Sequence, residues 1–220
     1  MPVKLDARLN AIAMLCRPVE GGTFADIGCD HGKLACHLAG LSAKKVIATD
    51  ISLPSLAKAA ALADKFGATD RVETRAGDGL DIISPEEAET VVIAGLGGDT
   101  IARIVGRAEE QGKRFSRYIL SPNTHPEKVR ALLVSSGLRI TDDAVVREGG
   151  KDYPVIAAVR GEDSLDELQL LFGKFFAEDP GFPERARREA ELLGRALTNA
   201  PAEAGKRREL LLRALSRSEK

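Results

Sequence analysis

Apolar residues along this chain recur in two alternating rhythms. Short unbroken runs at Thr23–Ile27, Lys45–Thr49, Arg71–Ala76, Thr90–Ala94 and Arg117–Leu120 have the length and β-branched content of buried strands. Between and after them, apolar positions three and four apart predict helices over 32–41, 53–66, 99–112 and 125–137. Ahead of the first strand, Leu5, Leu9, Ile12, Ala13 and Cys16 share one helical face. They predict an amphipathic helix over 4–16 that stops before Pro18. Alternating strands and helices joined by short turns imply a parallel sheet covered by helices on both faces.

After Gly137 the rhythm changes. Arg139–Glu148 and Tyr153–Arg160 are β-rich and joined by Gly149-Gly150-Lys151-Asp152, which predicts a hairpin. A βα alternation closed by a hairpin describes an α/β, Rossmann-like, seven-stranded sheet with one antiparallel strand near its edge, the arrangement of class I methyltransferases. A nicotinamide-binding domain would continue with another βα unit instead. From Ser164 the pattern is helical and polar, over 164–177, 183–199 and 202–217, interrupted by Asp179-Pro180-Gly181-Phe182-Pro183 and Asn199-Ala200-Pro201. Leu192, Leu193, Ala196 and Leu197 are expected to face Leu210, Leu211, Ala214 and Leu215 in a helical hairpin. The expected organisation is one domain over 1–161 and a small helical accessory domain over 162–220.

Candidate chemistry sits where strands end. The first strand runs through Asp26 into Gly28-Cys29-Asp30-His31-Gly32, and the second ends on Asp50. A glycine turn allows close approach of a ligand, and a carboxylate ending the next strand can accept hydrogen bonds from both ribose hydroxyls. That pairing implies a nucleoside cofactor. A dinucleotide site wants G-x-G-x-x-G with a pyrophosphate on the helix N-terminus. Here Gly28 and Gly32 are separated by three residues, and Asp26 and Asp30 would repel a pyrophosphate. They suit the ammonium and sulfonium of S-adenosylmethionine, with Gly28 and Gly32 shaping the turn.

Further positions follow along the same sheet edge. Asp50 with Ile51 is expected to bind ribose and flank adenine, and Asp78, between Gly77 and Gly79, stands at the turn where this fold is known to hold an acid that accepts the adenine amino group. Gly95, Gly97 and Gly98 form a backbone floor at the end of the fourth strand. Asn123, after the fifth strand, carries a donor and an acceptor able to read a base edge, or caps the following helix. Asp81 is expected to be a solvated neighbour of the Asp78 turn.

Composition narrows the setting. Hydrophobic residues at 44% and charged residues at 30% are ordinary for a soluble globular chain. The net charge of −1 divides unevenly: Pro183 to Lys220 holds ten Lys or Arg against six Glu, so the basic tail is a candidate phosphate contact. Cys16, Cys29 and Cys36 lack C-x-x-C spacing, which points away from disulfides and metal. With no apolar signal region or membrane-spanning run, a cytoplasmic location is expected.

With these pieces in place the chain resembles the bacterial tRNA (adenine-22-N1)-methyltransferases. The resemblance rests on Leu5-x-x-Arg8-Leu9, Ala25-Asp26-Ile27-Gly28-Cys29-Asp30-His31, Gly77-Asp78-Gly79-Leu80, Ile93-Ala94-Gly95-Leu96-Gly97-Gly98, Leu120-Ser121-Pro122-Asn123 and Glu148-Gly149-Gly150-Lys151-x-Tyr153. It implies methyl transfer from S-adenosylmethionine to adenine N1 of a tRNA, with a basic helical C-terminal domain holding the tRNA. Lys33 departs from the pattern, standing where the family often has Tyr. Ring N1 attacks through its own lone pair, so the chemistry asks for alignment and for a carboxylate facing the cationic product. Asp30 is the candidate for that carboxylate, with His31 and Asn123 positioning the base; Asp30 is alternatively a ligand of the cofactor's ammonium. A small-molecule methyltransferase of this fold and a non-catalytic RNA-binding protein are the competing readings.

Overall fold

A computed structural model describes residues 3–196 and 202–219. The chain divides into two compact units, Met1–Ser164 and Leu165–Lys220.

The first unit opens with α1 (Ala7–Leu15), shorter than the apolar periodicity because the Asp6 carboxylate accepts the Leu9 N–H at 2.8 Å and sets the helix start. Then come β1 (Thr23–Ile27), α2 (Lys33–Gly40), β2 (Lys45–Asp50), α3 (Leu53–Lys65), β3 (Val72–Ala76), β4 (Thr90–Ala94), α4 (Gly98–Glu110), β5 (Arg117–Ser121), α5 (Pro126–Ser135), β6 (Leu138–Glu148) and β7 (Lys151–Arg160). They build a seven-stranded sheet in the order β3-β2-β1-β4-β5-β7-β6. β7 runs antiparallel to both β5 and β6, and the other pairings are parallel. Phe24 to Ile27, Val46 to Thr49 and Thr90 to Ile93 are buried without alternation, as expected of parallel strands covered on both faces.

This order positions the site. The chain winds outward from β1 through β2 to β3, then returns to lay β4 on the other side of β1. Loops leaving β1 and β4 therefore diverge, and a crevice opens at the C-terminal ends of these strands. No helix covers the stretch from β3 to β4. Its carbonyls from Leu80, Asp81 and Ile83 instead accept hydrogen bonds from Lys113 Nζ at 2.7, 2.8 and 3.1 Å.

The hairpin link is tighter than the four residues expected from sequence. Only Gly149 and Gly150 turn, with φ of 56° and 79°, and Lys151 and Asp152 already pair with β6. Two left-handed residues match the twist of antiparallel strands, which is why a Gly-Gly pair suffices.

The second unit comprises α6 (Glu167–Phe172), α7 (Phe182–Ala196) and α8 (Ala202–Ser218). The helix expected over 164–177 ends at Phe172, because Gly173 takes φ 117° and breaks it. The core is formed by Phe176, Phe182, Ala186 and Ala190 against Leu210, Leu211, Ala214 and Leu215. On α7 the buried stripe is thus Phe182-Ala186-Ala190, with Leu193 half-buried. Leu192, expected inside, is 60% exposed. A helix buries one face, and the aromatic at Phe182 sets that face one position away from Leu192. Leu197, the side chain of Ala196 and Asn199-Ala200-Pro201 lie outside the described residues.

Candidate active site

A cavity of about 630 Å³ lies at the C-terminal edge of β1, β2, β3 and β4. It brings together Asp26, Gly28, Asp30, His31, Asp50, Ile51, Asp78, Gly79 and Gly95. Gly32, Gly97, Gly98 and Asn123 do not line it, although the same motifs contain them.

The turn after β1 is shaped by alternating left-handed residues: Gly28, Asp30 and Gly32 have φ of 71°, 48° and 68°. The Gly28 and Cys29 N–H groups both donate to the Thr49 carbonyl, at 2.8 and 2.9 Å, which binds the turn to β2. Asp50 ties the same turn from its side chain. Its Oδ2 accepts the Asp30 N–H at 3.2 Å, and its Oδ1 accepts the Ser52 N–H at 2.8 Å. Asp30 is non-glycine at positive φ, a conformation Asp tolerates better than most residues. Gly32 serves packing rather than the cavity: a Cβ there would sit 2.7 Å from Ala59 Cβ, so α2 meets α3 only over a glycine.

Asp26 is buried at the floor of this turn. Gly32 offers α2 no side-chain cap, and the Ala35 N–H in the helix's first turn favours the charged form of the Asp26 carboxylate. Burial nevertheless pushes its pKa up to about 7, opposed by that N–H and reinforced by the neighbouring Asp50. Thr49 Oγ1, also lining the cavity, is buried without a hydrogen-bond partner among the described residues.

Across the crevice, Asp78 and Gly79 (φ 59°) present the β3 turn. Asp78 Oδ2 accepts from Arg107 Nη2 at 3.1 Å, and Asp81 is held by the same nitrogen at 3.0 Å. Asp81 is exposed, as expected of a solvated neighbour, and is ion-paired as well. Ile51 is 76% exposed at the rim, an apolar surface left where a flat ring can lie.

The third side is made by residues remote in sequence. Arg8 of α1 donates through Nη1 to Asn123 Oδ1 at 2.9 Å, and its guanidinium lies 4.6 Å from the Tyr153 ring centre. Asn123 Nδ2 donates to the Gly95 carbonyl at 2.6 Å, and its backbone N–H to the Leu96 carbonyl at 2.8 Å. Of the two roles open to Asn123 in sequence, the cap is not formed: His125 occupies the N-cap of α5. Glu148 Oε2 accepts the Ala7 N–H at 2.8 Å, so the β6–β7 hairpin seats α1 beside the crevice. Gly97 and Gly98 lie against the next loop. A Cβ on Gly98 would fall 2.3 and 2.4 Å from the carbonyl oxygens of His125 and Thr124, so backbone contact dictates that glycine.

Asp30 and His31 stand at the mouth. Asp30 Oδ1 is 3.5 Å from His31 Nε2, which is 3.1 Å from Lys58 Nζ. An ammonium can only donate, so Lys58 makes Nε2 the acceptor. Lys33 also lines the cavity, as do Arg8, Thr100 and Arg103, which did not stand out in sequence as site residues. Arg8 is 115 positions from Asn123, and no local signal joins them. A wall of carboxylates, an unpartnered hydroxyl and an apolar rim fits a nucleoside bearing an ammonium.

A family model described as a methyltransferase domain matches residues 5–156. The chain is 32% identical over 184 residues to the tRNA (adenine(22)-N(1))-methyltransferase of Bacillus subtilis, covering 80% of this chain and 76% of that protein. The crystal structure of the B. subtilis m1A22 tRNA methyltransferase TrmK superposes with a TM-score of 0.79 at 27% identity, covering 99% and 98% of the two chains. The structure of M. capricolum TrmK with S-adenosylhomocysteine gives 0.85 at 27% identity over 97% and 98%.

Proposed function

The chain belongs to the tRNA (adenine(22)-N(1))-methyltransferase family, and from that premise we propose how its crevice transfers a methyl group to N1 of adenine 22 in tRNA. S-adenosylmethionine is the cofactor, and when bound it supplies a methyl group made electrophilic by a sulfonium. Asp50 accepts the ribose hydroxyls, Ile51 covers one face of the adenine, and Asp78 accepts its amino group. Asp26, at the foot of the Gly28 turn, faces the ammonium, and Gly28, Gly79 and Gly95 allow the backbone to approach. Gly32, Gly97 and Gly98 act at one remove, through the packing that shapes these turns.

The observation that carries this reading is the convergence of Asp26, Asp30, Asp50 and Asp78 on one cavity at the switch point of the sheet. Adenine N1 needs no base to become a nucleophile. Protein groups act by alignment, worth up to about 7–11 kcal/mol in well-oriented systems, and by stabilising positive charge on the methylated ring. Asp30, exposed at the mouth, is placed for that second task. His31 orients the entering base, and Asn123 holds the Gly95 carbonyl and Arg8 in register.

Among the described residues no group of three or more potential metal ligands occurs, and no helix is long and apolar enough to cross a membrane. We assign tRNA contact to the 162–220 region, where Arg187, Lys206 and Arg208 lie on α7 and α8. A tRNA substrate accords with action in the cytoplasm. The test is incubation of unmodified tRNA with the protein and isotopically labelled S-adenosylmethionine, followed by nucleoside mass spectrometry and mapping of the modified position. Labelled 1-methyladenosine at position 22 is expected. Label on another nucleotide overturns the target, and tRNA without label overturns the activity.

A further inference from the structure

Beside Arg75, which holds the Ile82 carbonyl and the Glu87 carboxylate, two cations from outside β3 hold the stretch joining β3 to β4 in different ways. Lys113 donates only to backbone carbonyls, those of Leu80, Asp81 and Ile83. Arg107, on α4, reaches instead for the carboxylates. Its Nη2 lies 3.1 Å from Asp78 Oδ2, 3.3 Å from the Asp78 carbonyl and 3.0 Å from Asp81 Oδ2. Gly79 brings the turn flat against the helix: a Cβ there would come within 3.0 Å of Ile104 and 3.6 Å of Arg107 Nη2.

As a stabilising element Arg107 is poorly made. Its Nε is buried without a partner among the described residues, a desolvation that nothing offsets. Its ion pairs are partly exposed, and such pairs add little to stability. What the arrangement does achieve is direction. One oxygen of Asp78 is engaged, no described residue donates to the other, and the residue lines the cavity.

We infer that Arg107 is a positioning residue for base recognition, holding Asp78 so that one carboxylate oxygen stays available to the exocyclic amino group of the cofactor's adenine. This rests on the assignment of Asp78 proposed above. Adenine offers an N–H at that place, whereas hypoxanthine offers a carbonyl oxygen that a fixed carboxylate repels. A carboxylate free to rotate away repels it less, so Arg107 should govern the choice between the two bases more than the affinity for either.

The experiment is calorimetric titration of the full chain with S-adenosylhomocysteine and with S-inosylhomocysteine, its hypoxanthine counterpart. The wild type should prefer the adenine ligand by about tenfold or more, the value of one hydrogen bond to a charged group. Arg107→Met should bring that ratio severalfold closer to one. Lys113→Met, which loosens the same turn without touching Asp78, should keep the wild-type ratio. A ratio unchanged in Arg107→Met but lost in Asp78→Asn overturns the inference while leaving Asp78 as the base acceptor. A ratio unchanged in Asp78→Asn overturns the Asp78 assignment, and the inference with it. Should Arg107→Met not fold, Arg107→Gln carries the test: its shorter, neutral amide cannot hold both carboxylates as the guanidinium does, so an unchanged ratio there also overturns the inference.

Discussion

Replacing Asp26 by Asn removes one titrating carboxyl from the end of β1 while keeping an oxygen that can accept the Ala35 N–H. In the unfolded chain this carboxyl titrates near 3.8, and in the folded protein burial pushes it up to about 7. Between those values the unfolded state has lost its proton and the folded state has kept it. The folded state then binds more protons, so stability falls as pH rises through this window. The contribution is fully present below about pH 4 and gone above about pH 7, and the gap corresponds to about 4 kcal/mol. Asp26→Asn lacks this dependence. The unfolding free energy of the wild type minus that of the variant should therefore fall by about 4 kcal/mol between roughly pH 4 and 8. Urea titrations at a series of pH values measure it by linear extrapolation, and the subtraction cancels the titrating groups that do not feel Asp26. The same carboxyl should ionise when an ammonium settles beside it. Binding of S-adenosylhomocysteine near pH 6 should then release a proton, seen as a buffer-dependent heat. A stability difference that stays flat across the range would refute the argument that burial, and not the Ala35 N–H, controls Asp26.

Asp50→Ala removes an acceptor that also ties down the Asp30 and Ser52 N–H groups, and should raise the Kd for S-adenosylhomocysteine by about 10–100-fold. Calorimetry checks this, and an unchanged Kd in a folded variant counts against the ribose assignment. Asp30→Asn should lower kcat far more than it raises KM for either substrate, because the cationic ring exists only late in the reaction. A raised KM for S-adenosylmethionine with normal kcat would instead make Asp30 a cofactor ligand. Substituting Arg187, Lys206 and Arg208 together by Gln should flatten the dependence of log tRNA affinity on log salt, by roughly 0.7–0.9 for each phosphate no longer neutralised. An unaltered slope would show that these residues hold no phosphate.

The order of strands and helices was legible in the sequence because it depends on local periodicity. A strand buried on both faces must be apolar throughout, and Val46-Ile47-Ala48 and Val91-Val92-Ile93 have no other use for such a run. The strand-end carboxylates were legible for a related reason: a turn that follows a buried strand is already at the sheet edge. Local pattern failed where an element's end was decided by one residue, as with Gly173 cutting short the helix predicted to 177.

Sequence by itself thus determined the sheet, the turn at Gly28 and the carboxylates Asp26, Asp50 and Asp78 that end up around one cavity. Tertiary structure alone decided which glycines face that cavity. Gly95 lines it, whereas Gly97 and Gly98, two and three positions on, meet Thr124 and His125. It alone brought Arg8 to Asn123 and Arg107 to Asp78, across 115 and 29 positions. The physical reason is the range of the forces involved. Hydrophobic periodicity repeats every two to four residues and is written along the chain, but a hydrogen bond reaches about 3 Å. Which residues come that close is set by the order in which the strands pack.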